Sequence, residues 1–322
     1  MAEATTPLMV DLDPATVPLE DIDVSQRELW SQNKKYPFFK RLRDEAPVHY
    51  CKDSEFGPYW SVTRFEDIME VEQNWQSFSS DPTIVIQDPE EDFELPMFIA
   101  MDPPKHDEQR KTVQGVVAPR NLQNLESTIR SRVQTILDVL PVGEEFYWVD
   151  RVSIELTTQM LATLFDFPFE DRRKLTRWSD VATGGPETGI VESEEQRREE
   201  LYECLEYFTR LWQEREGTEE GIDLISMLAH GDATKDMDPQ EYLGNLVLLI
   251  VGGNDTTRNS ITGGVIALNE NPGEYAKLRN NPKVIPNMVS EIIRWVTPLA
   301  HMRRTCLLYT SPSPRDLLSH LV

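Results

Sequence analysis

The segment Tyr242–Asn259, YLGNLVLLIVGGNDTTRN, combines an apolar run with a group of small and polar residues. Its apolar first half predicts a helix that is buried on all sides. Gly252 and Gly253 then remove side chains from that helix, while Asp255 and Thr256 add a carboxylate and a hydroxyl. A Thr hydroxyl that bonds back to a carbonyl one turn earlier also loosens the helical ladder. The pattern indicates a groove for a small ligand beside groups that transfer protons.

The same residues also allow a purely structural interpretation. A first helix would end at Gly252, and a second would begin with Asp255 as its N-cap residue. Residue spacing leaves both interpretations open, because a Gly inside a helix costs about 1 kcal/mol relative to Ala.

A second candidate segment is Phe98–Arg110, FIAMDPPKHDEQR. Asp102 followed by Pro103 predicts an N-cap with Pro at the first helical position. His106 and Arg110 are four residues apart and would share one face of this helix. Such a pair could hold an anionic group, although two such side chains are also typical of a solvated helix surface.

The third candidate is the tetrapeptide EIIR, which places Glu291 and Arg294 in a predicted helix before Pro298. Residues three apart can pair along a helix, and such pairs are common and weak when exposed. What distinguishes this pair is its position, because Arg303 and Arg304 follow soon after in a segment predicted to be extended.

These candidate residues lie in a chain whose spacing predicts a mainly α fold with a small β-sheet. Strands are predicted over 48–51 and 59–63, where turn residues between them indicate a hairpin. Beyond residue 101 nearly every segment has helical spacing. The predicted helices cover residues 37–45, 65–75, 103–115, 120–139, 151–165, 169–182, 193–216, 222–229, 239–268, 272–280 and 285–296.

Composition restricts the possible partners. The 322 residues contain 32 Lys and Arg against 56 Asp and Glu, and the resulting net charge of -24 argues against nucleic acid and anionic membranes. The chain has no apolar run long enough to span a membrane and no secretory signal pattern, which predicts a cytoplasmic location. Cys51, Cys204 and Cys306 are widely spaced, and they predict neither a disulfide framework nor a structural metal site.

Taken together and in this order, the three candidate motifs resemble those of a cytochrome P450. The letters GGNDTT are similar to the oxygen-binding helix of that family, EIIR to its Glu-x-x-Arg motif, and MDPPKHDEQR to the helix that grips a haem propionate. The resemblance covers about residues 30–304 and implies a P450-like fold. Segments 251–258 and 98–111 most resemble the soluble bacterial P450s that hydroxylate the terminal carbon of alkanes.

The resemblance implies roles for four residues of the central helix. Asp255 and Thr256 match the acid and the alcohol that deliver protons during dioxygen activation. Gly252 and Gly253 match the positions that leave space for the oxygen molecule.

The resemblance also implies a haem b cofactor and residues that hold it. His106 and Arg110 match the pair that contacts one propionate, and Arg303 matches the contact to the other. Glu291 and Arg294 match a structural pair on the proximal side of the haem.

By the same resemblance, the substrate is expected to be a medium-chain alkane, with a fatty acid or a terpene as the alternative. The apolar residues between positions 79 and 101 suit an apolar substrate, although ordinary core packing explains them equally well. Dioxygen would be the second substrate, and a ferredoxin with its reductase would supply electrons. Lys105, Lys111 and Arg120 could form a local basic patch for that partner.

One departure from the family concerns the axial ligand of the haem iron. A P450 uses a Cys thiolate there, in a loop of the type Phe-x-x-Gly-x-x-x-Cys-x-Gly downstream of Glu-x-x-Arg. Cys306 is the only Cys after Glu291, and its surroundings, RRTCLLYTSPSPRD, do not match that loop. We therefore expect Cys306 to be a free thiol, no metal ligand among these residues, and no catalysis by the chain as written.

These considerations predict three regions. Residues 1–29 form an acidic N-terminal arm, residues 30–304 a partial P450 domain, and residues 305–322 a non-native tail. On this interpretation the chain is a fragment that is prone to aggregate through exposed core. A hypothesis of another class is a cofactor-free, acidic helical protein in which the three motifs are structural.

Overall fold

The computed structural model describes residues 8–90 and 92–309. These residues form two compact units, one made of residues 8–89 together with 303–309, and the other of the described residues of Glu90–Met302. No helix within the described ranges is both long enough and apolar enough to cross a bilayer.

The described part of the first unit contains three α-helices and two small antiparallel sheets: α1 Arg27–Ser31, α2 Lys35–Glu45, β1 Val48–Cys51, β2 Tyr59–Val62, α3 Phe65–Gln73, β3 Phe78–Ser79 and β4 Thr305–Cys306. The predicted hairpin is confirmed, since β1 pairs with β2 in the register Val48 to Val62 and Cys51 to Tyr59. The helix predicted over 37–45 is also confirmed and begins two residues earlier.

The core of this unit draws on the acidic N-terminal region. Met9, Ile22 and Leu29 are fully buried there together with Leu42 of α2. Much of the apolar surface of residues 8–29 is therefore packed inward. One acid is buried with it, since Asp23 accepts from the Ser25 N–H at 2.9 Å and from the Tyr59 hydroxyl at 2.8 Å.

Residues of the predicted tail are only partly described. Thr305 and Cys306 form β4, which pairs with Ser79 and Phe78 of β3. The remainder of the predicted tail, from residue 310 onward, lies outside the described residues.

The second unit is helical: α4 Lys105–Val113, α5 Pro119–Asp138, α6 Glu155–Phe165, α7 Arg173–Thr183, α8 Glu194–Glu216, α9 Leu224–His230, α10 Pro239–Glu270, α11 Pro272–Asn280 and α12 Ile285–Val296. Every helix predicted beyond residue 101 is present, with ends that differ by a few residues. The segment predicted as the start of α6 is a π-helical turn, Val149–Ile154. The core lies where α10 packs against α6, α7 and α8.

The polar residues of α10 do not divide it. The helix begins after Asp238, whose carboxylate accepts from the Glu241 backbone N–H at 2.9 Å, and it continues unbroken to Glu270. The alternative with Asp255 as an N-cap is therefore wrong, because Asp255 lies in the middle of one helix. Packing of the buried first half outweighs the helix propensity cost of two glycines, which is about 2 kcal/mol in all.

The start of α4 differs from its prediction. The helix begins at Lys105 with Pro104 at the cap position, so Asp102 is not the N-cap residue. The backbone carbonyl of Asp102 accepts from the His106 N–H at 3.1 Å, which places the chain in a helical turn just before α4. The shift of two residues leaves His106 and Arg110 one turn apart, as predicted.

Candidate functional site

The two glycines in the middle of α10 have different surroundings. A Cβ atom placed on Gly252 would have no side chain or other segment of the described residues within 4 Å, whereas one placed on Gly253 would lie 2.6 Å from Leu161 Cδ1. Gly253 therefore allows α10 to approach α6 closely. Of these two glycines, Gly252 is the one with open space at its Cβ position, so the predicted oxygen groove stays a prediction for Gly252 and is not expected at Gly253.

Thr256 lies one turn after Gly252, and its hydroxyl donates to the Gly252 carbonyl at 2.8 Å. This is the backward bond that a Thr in a helix is expected to make. The hydroxyl oxygen keeps lone pairs that can accept from a ligand in the open space. A hydroxyl oxygen that can accept a hydrogen bond and the open space at Gly252 are thus one helical turn apart.

Asp255 is held between α10 and α7. Its carboxylate accepts from the hydroxyls of Ser179 at 3.3 Å and Thr183 at 3.4 Å, and it forms an ion pair with Arg258. Burial raises the pKa of Asp255 above its ordinary value; the positive charge of Arg258 opposes this rise, and the negative charge of Asp180 adds to it. A carboxyl group that takes up a proton more readily than usual suits a proton donor.

Arg258 joins this carboxylate to a second one. Its guanidinium bonds to Asp180 Oδ1 at 3.0 Å as well as to Asp255, and the side chain is largely buried. Sequence reasoning missed Arg258, although its position three residues after Asp255 was a usable signal. It also missed the α7 residues, and no sequence pattern connects them with α10.

His106 and Arg110 lie on one face of α4. The Nδ1 atom of His106 bonds to the carbonyl oxygen of Phe98 at 2.7 Å, and the two rings are in edge contact. Among the described residues, neither Nε2 of His106 nor the exposed guanidinium of Arg110 has a hydrogen-bond or ion-pair partner. The Arg110 guanidinium can therefore donate to a carboxylate, and Nε2 of His106 can do so when the ring carries both protons.

Glu291 and Arg294 pair within α12. The guanidinium donates two hydrogen bonds to the carboxylate, at 2.7 and 2.6 Å, and both side chains are more than half exposed. The helix approaches α10 with its other side, where a Cβ placed on Gly264 would lie 2.8 Å from Ile292 Cδ1.

Arg303 belongs to the first unit. Its Nη1 atom donates to Asp88 Oδ1 at 2.6 Å and to the Ile86 carbonyl at 3.1 Å, so part of its guanidinium is already engaged there.

Known proteins resemble this chain along most of its length. Cytochrome P450-153 from Novosphingobium aromaticivorans is 47% identical and superposes with a TM-score of 0.82, covering 88% of this chain and 72% of its own. CYP153D17 from Sphingomonas sp. PAMC 26605 is 48% identical with a TM-score of 0.81 and the same coverage. Linalool 8-monooxygenase of Pseudomonas putida is 29% identical over 90% of this chain and 74% of its own length. No model of a known protein family matches the chain.

The fold that contains this long central helix is shared with proteins named as monooxygenases and cytochromes P450, so the chain is a monooxygenase by family. The chain belongs to the cytochrome P450 family, whose cofactor is haem b. It spans 72% of the two solved structures and 74% of the linalool enzyme.

The described residues fit a haem on two counts. The Arg110 guanidinium is the kind of donor that a propionate carboxylate requires, and Nε2 of His106, whose Nδ1 already bonds to the Phe98 carbonyl, donates to such a carboxylate when the ring carries both protons. The open space at the Gly252 Cβ position, among the residues that the structure describes, would leave room for a small molecule such as dioxygen.

Proposed function

We propose that this chain supplies the oxygen-binding side of a P450 that hydroxylates the terminal carbon of a medium-chain alkane. The observation that carries the proposal is the open space at Gly252, one helical turn before Thr256 and close in the helix to Asp255, whose pKa burial raises. When bound, haem b supplies the activation of dioxygen. Electrons come from a ferredoxin through its reductase.

In this proposal, two side chains of α10 move protons. Thr256 orients the oxygen molecule or a water with its hydroxyl, while Asp255 holds a proton and passes it on. The hydroxyls of Ser179 and Thr183 donate hydrogen bonds that keep the Asp255 carboxylate in place from one catalytic cycle to the next.

The haem is held through its carboxylates. His106 and Arg110 would hold one propionate, and Arg303 would hold the other by the resemblance of its position to the family's contact. Glu291 and Arg294 keep a structural role on the opposite, proximal side.

An apolar substrate is supported by the residues before α4. Phe93 and Phe98 are buried in the core of the second unit, whereas Leu95, Met97 and Ile99 are only half-buried. Burial of an alkane against such side chains contributes about 25 cal/mol per Å² of apolar area. The alkane itself rests on the resemblance of segments 251–258 and 98–111 to alkane hydroxylases, and on two group 153 structures nearly half identical to the chain.

A terpene substrate is the alternative, since linalool 8-monooxygenase is among the relatives. A fatty acid is a further one, because relatives named methyl-branched lipid omega-hydroxylase are 26% identical. These three substrates separate experimentally, because each gives a different alcohol.

The electron donor would dock on a basic patch. Lys111 and Arg120 are exposed, whereas the charge of Lys105 is compensated by Glu241 at 2.8 Å. We expect the double variant Lys111→Glu, Arg120→Glu to slow reduction by ferredoxin at low ionic strength, and an unchanged rate would remove this site from the proposal.

The thiolate ligand is not assigned to Cys306, which lies in β4 of the first unit. We expect the chain alone to give no thiolate spectrum when reduced and treated with CO. A chimera tests the oxygen side: residues after Arg304 are replaced by the corresponding segment of the Novosphingobium protein, and n-octane, linalool and a fatty acid are supplied with ferredoxin and reductase. We expect the chimera to show the thiolate Soret band and to form 1-octanol as its main product. A chimera that binds haem but oxidises only linalool or the fatty acid would contradict the alkane, and one that binds no haem would contradict the proposed function.

A further inference from the structure

We propose that Asn245 of α10 positions the propionate ligand His106, acting through the backbone of Phe98. The inference rests on the proposed haem role of His106. It concerns three buried polar residues, Asn245, Gln109 and Glu241, that the proton-transfer chemistry of α10 does not use.

Phe98 is the shared link. Its backbone N–H donates to Asn245 Oδ1 at 2.9 Å, and its carbonyl oxygen bonds to His106 Nδ1 at 2.7 Å. Asn245 is fully buried, so the bond to Phe98 is shielded from water. The backbone of Phe98 is therefore held by Asn245 of α10, and its carbonyl oxygen in turn fixes the position of the His106 imidazole.

Asn245 is itself oriented by further buried groups. Its Nδ2 atom donates to Gln109 Oε1 at 3.2 Å, and Gln109 donates through Nε2 to the carboxylate of Glu241. Lys105 closes the chain of contacts, since its ammonium group lies 2.8 Å from Glu241 Oε1. Because the amide of Gln109 can present its oxygen to Asn245 only while its nitrogen faces Glu241, the network selects one orientation of the Asn245 amide.

A second contact holds the same segment against α10. A Cβ atom placed on Gly244 would collide with the carbonyl group of Pro96, so the backbone before Phe98 lies directly on the helix. The segment is thus fixed by backbone contact at Gly244 and by a hydrogen bond at Asn245.

This arrangement determines the proton on His106. A carbonyl oxygen only accepts, so Nδ1 must carry a hydrogen in order to bond to Phe98. In the neutral ring Nε2 is then an acceptor, and His106 donates to a propionate from Nε2 only as an imidazolium. Asn245 therefore selects both the direction of the ring and the nitrogen that faces the ligand.

The test uses the full chain labelled with 15N histidine, without haem. The signal of His106 is assigned with the variant His106→Gln, and its tautomer is read from the two nitrogen shifts. We expect the Nδ1–H tautomer in the unaltered chain. In Asn245→Leu we expect a shift toward the Nε2–H form that free histidine favours in water, together with an increase of about fivefold to tenfold in Phe98 amide exchange.

Tyr242→Phe is the matched control. Tyr242 is also buried on α10, and its hydroxyl donates to the Phe208 carbonyl at 3.3 Å, away from Phe98. A similar loss of stability with an unchanged His106 tautomer is expected. Gln109→Leu provides a second variant in case Asn245→Leu does not fold, and it should shift the tautomer and the exchange rate in the same direction by a smaller factor.

Retention of the Nδ1–H tautomer and of slow Phe98 exchange in the folded Asn245 or Gln109 variant would overturn the proposal. So would an equal change in Tyr242→Phe. The haem role is measured separately, by titrating haem into the chimera: an unchanged affinity in His106→Gln would contradict the proposed function and leave the tautomer result standing.

Discussion

Gly252 and Gly253 are adjacent and chemically identical, yet the structure gives them opposite surroundings. Gly252 borders open space, and Gly253 contacts Leu161 of α6. Adjacent residues of a helix point about 100° apart, so only one of a Gly-Gly pair can face a groove on a given side. The oxygen groove is therefore expected to depend on Gly252.

Replacing each glycine by Ala separates these roles. Gly252→Ala should raise the free energy of unfolding by up to about 1 kcal/mol, because Ala is the better helix former and its Cβ meets nothing. Gly253→Ala should lower it by about 1 to 3 kcal/mol, since the buried Leu161 side chain must move. Urea unfolding of the two variants measures both values.

In the chimera, Gly252→Ala should also weaken CO binding, whereas Gly253→Ala should leave it nearly unchanged once the protein is folded. The reverse order of CO affinities would show that the groove lies on the Gly253 side.

Proton delivery is tested at Asp255 and Thr256. Asp255→Asn and Thr256→Val should each reduce product formation in the chimera by about 10²-fold, the lower limit for a general acid. Electron consumption should continue, because haem binding and reduction do not need these groups. Product formed per NADH consumed is the measurement, and the adjacent exposed position supplies the control, Thr257→Val. Equal losses in Thr256→Val and Thr257→Val would mean that helix stability, and no specific hydroxyl, explains the effect.

At the scale of elements, α7 and α8 are joined by an ion pair. Arg177 donates to Glu200 through two nitrogens, each at 2.6 Å, and these bonds lower the pKa of the Glu200 carboxyl. A carboxyl whose pKa is lowered on folding stabilises the protein above its unfolded pKa, about 4.3 for Glu, and this contribution is lost as the pH falls through the folded value.

We therefore expect Glu200→Gln to cost about 0.5 to 1 kcal/mol at neutral pH, a small value because the Arg177 side chain is partly exposed. The difference from the unaltered protein should shrink as the pH falls below the unfolded value of about 4.3, and it should be lost as the pH passes through the lowered pKa of the folded state. Thermal unfolding at several pH values checks this, and a difference that grows on acidification would contradict the assigned pKa direction.

A second prediction concerns the contact of α10 with the chain before α4. Gly244→Ala should lower the free energy of unfolding by about 1 to 3 kcal/mol, because the added methyl group meets backbone atoms of Pro96, which cannot rotate away. Gly252→Ala on the same helix is the control, because it is expected to raise the free energy of unfolding. A stabilised Gly244→Ala variant would show that residues 95–96 move freely.

At the scale of the whole molecule, the apolar face of α12 is the outstanding surface feature. Ile285, Val289, Ile293 and Trp295 are each about half exposed, and no residue of this helix is buried. Contiguous apolar patches of this kind promote association. The net charge of -24 opposes it through repulsion between molecules.

We expect the chain to self-associate, and to do so more strongly as salt screens that repulsion over a Debye length of about 10 Å at 0.1 M. At the same salt concentration, the double variant Val289→Lys, Ile293→Lys should have a lower average molecular mass in static light scattering than the unaltered chain. Lysines at two exposed positions of α5, in Leu122→Lys, Leu137→Lys, provide the control with an equal change of charge. Equal effects of the two pairs would assign the result to charge and not to α12.

The sequence alone determined the helices, the hairpin, the family and the type of each candidate group. These features depend on spacing within short segments, where the period of apolar residues and the geometry of caps and turns are local. Even so, the continuity of α10 was left open, because the cost of its glycines is offset by packing against α6, α7 and α8, which no local pattern contains.

Only the tertiary structure decided how the candidate groups are held. It gave Gly252 and Gly253 different surroundings and placed hydrogen-bond partners for Asp255 on α7. It also connected His106 with Asn245 through hydrogen bonds to the backbone of Phe98. These contacts join residues up to 147 positions apart in the chain. Their pairing follows from which helix faces meet in the core, and a raised pKa or a selected tautomer exists only after those faces have excluded water.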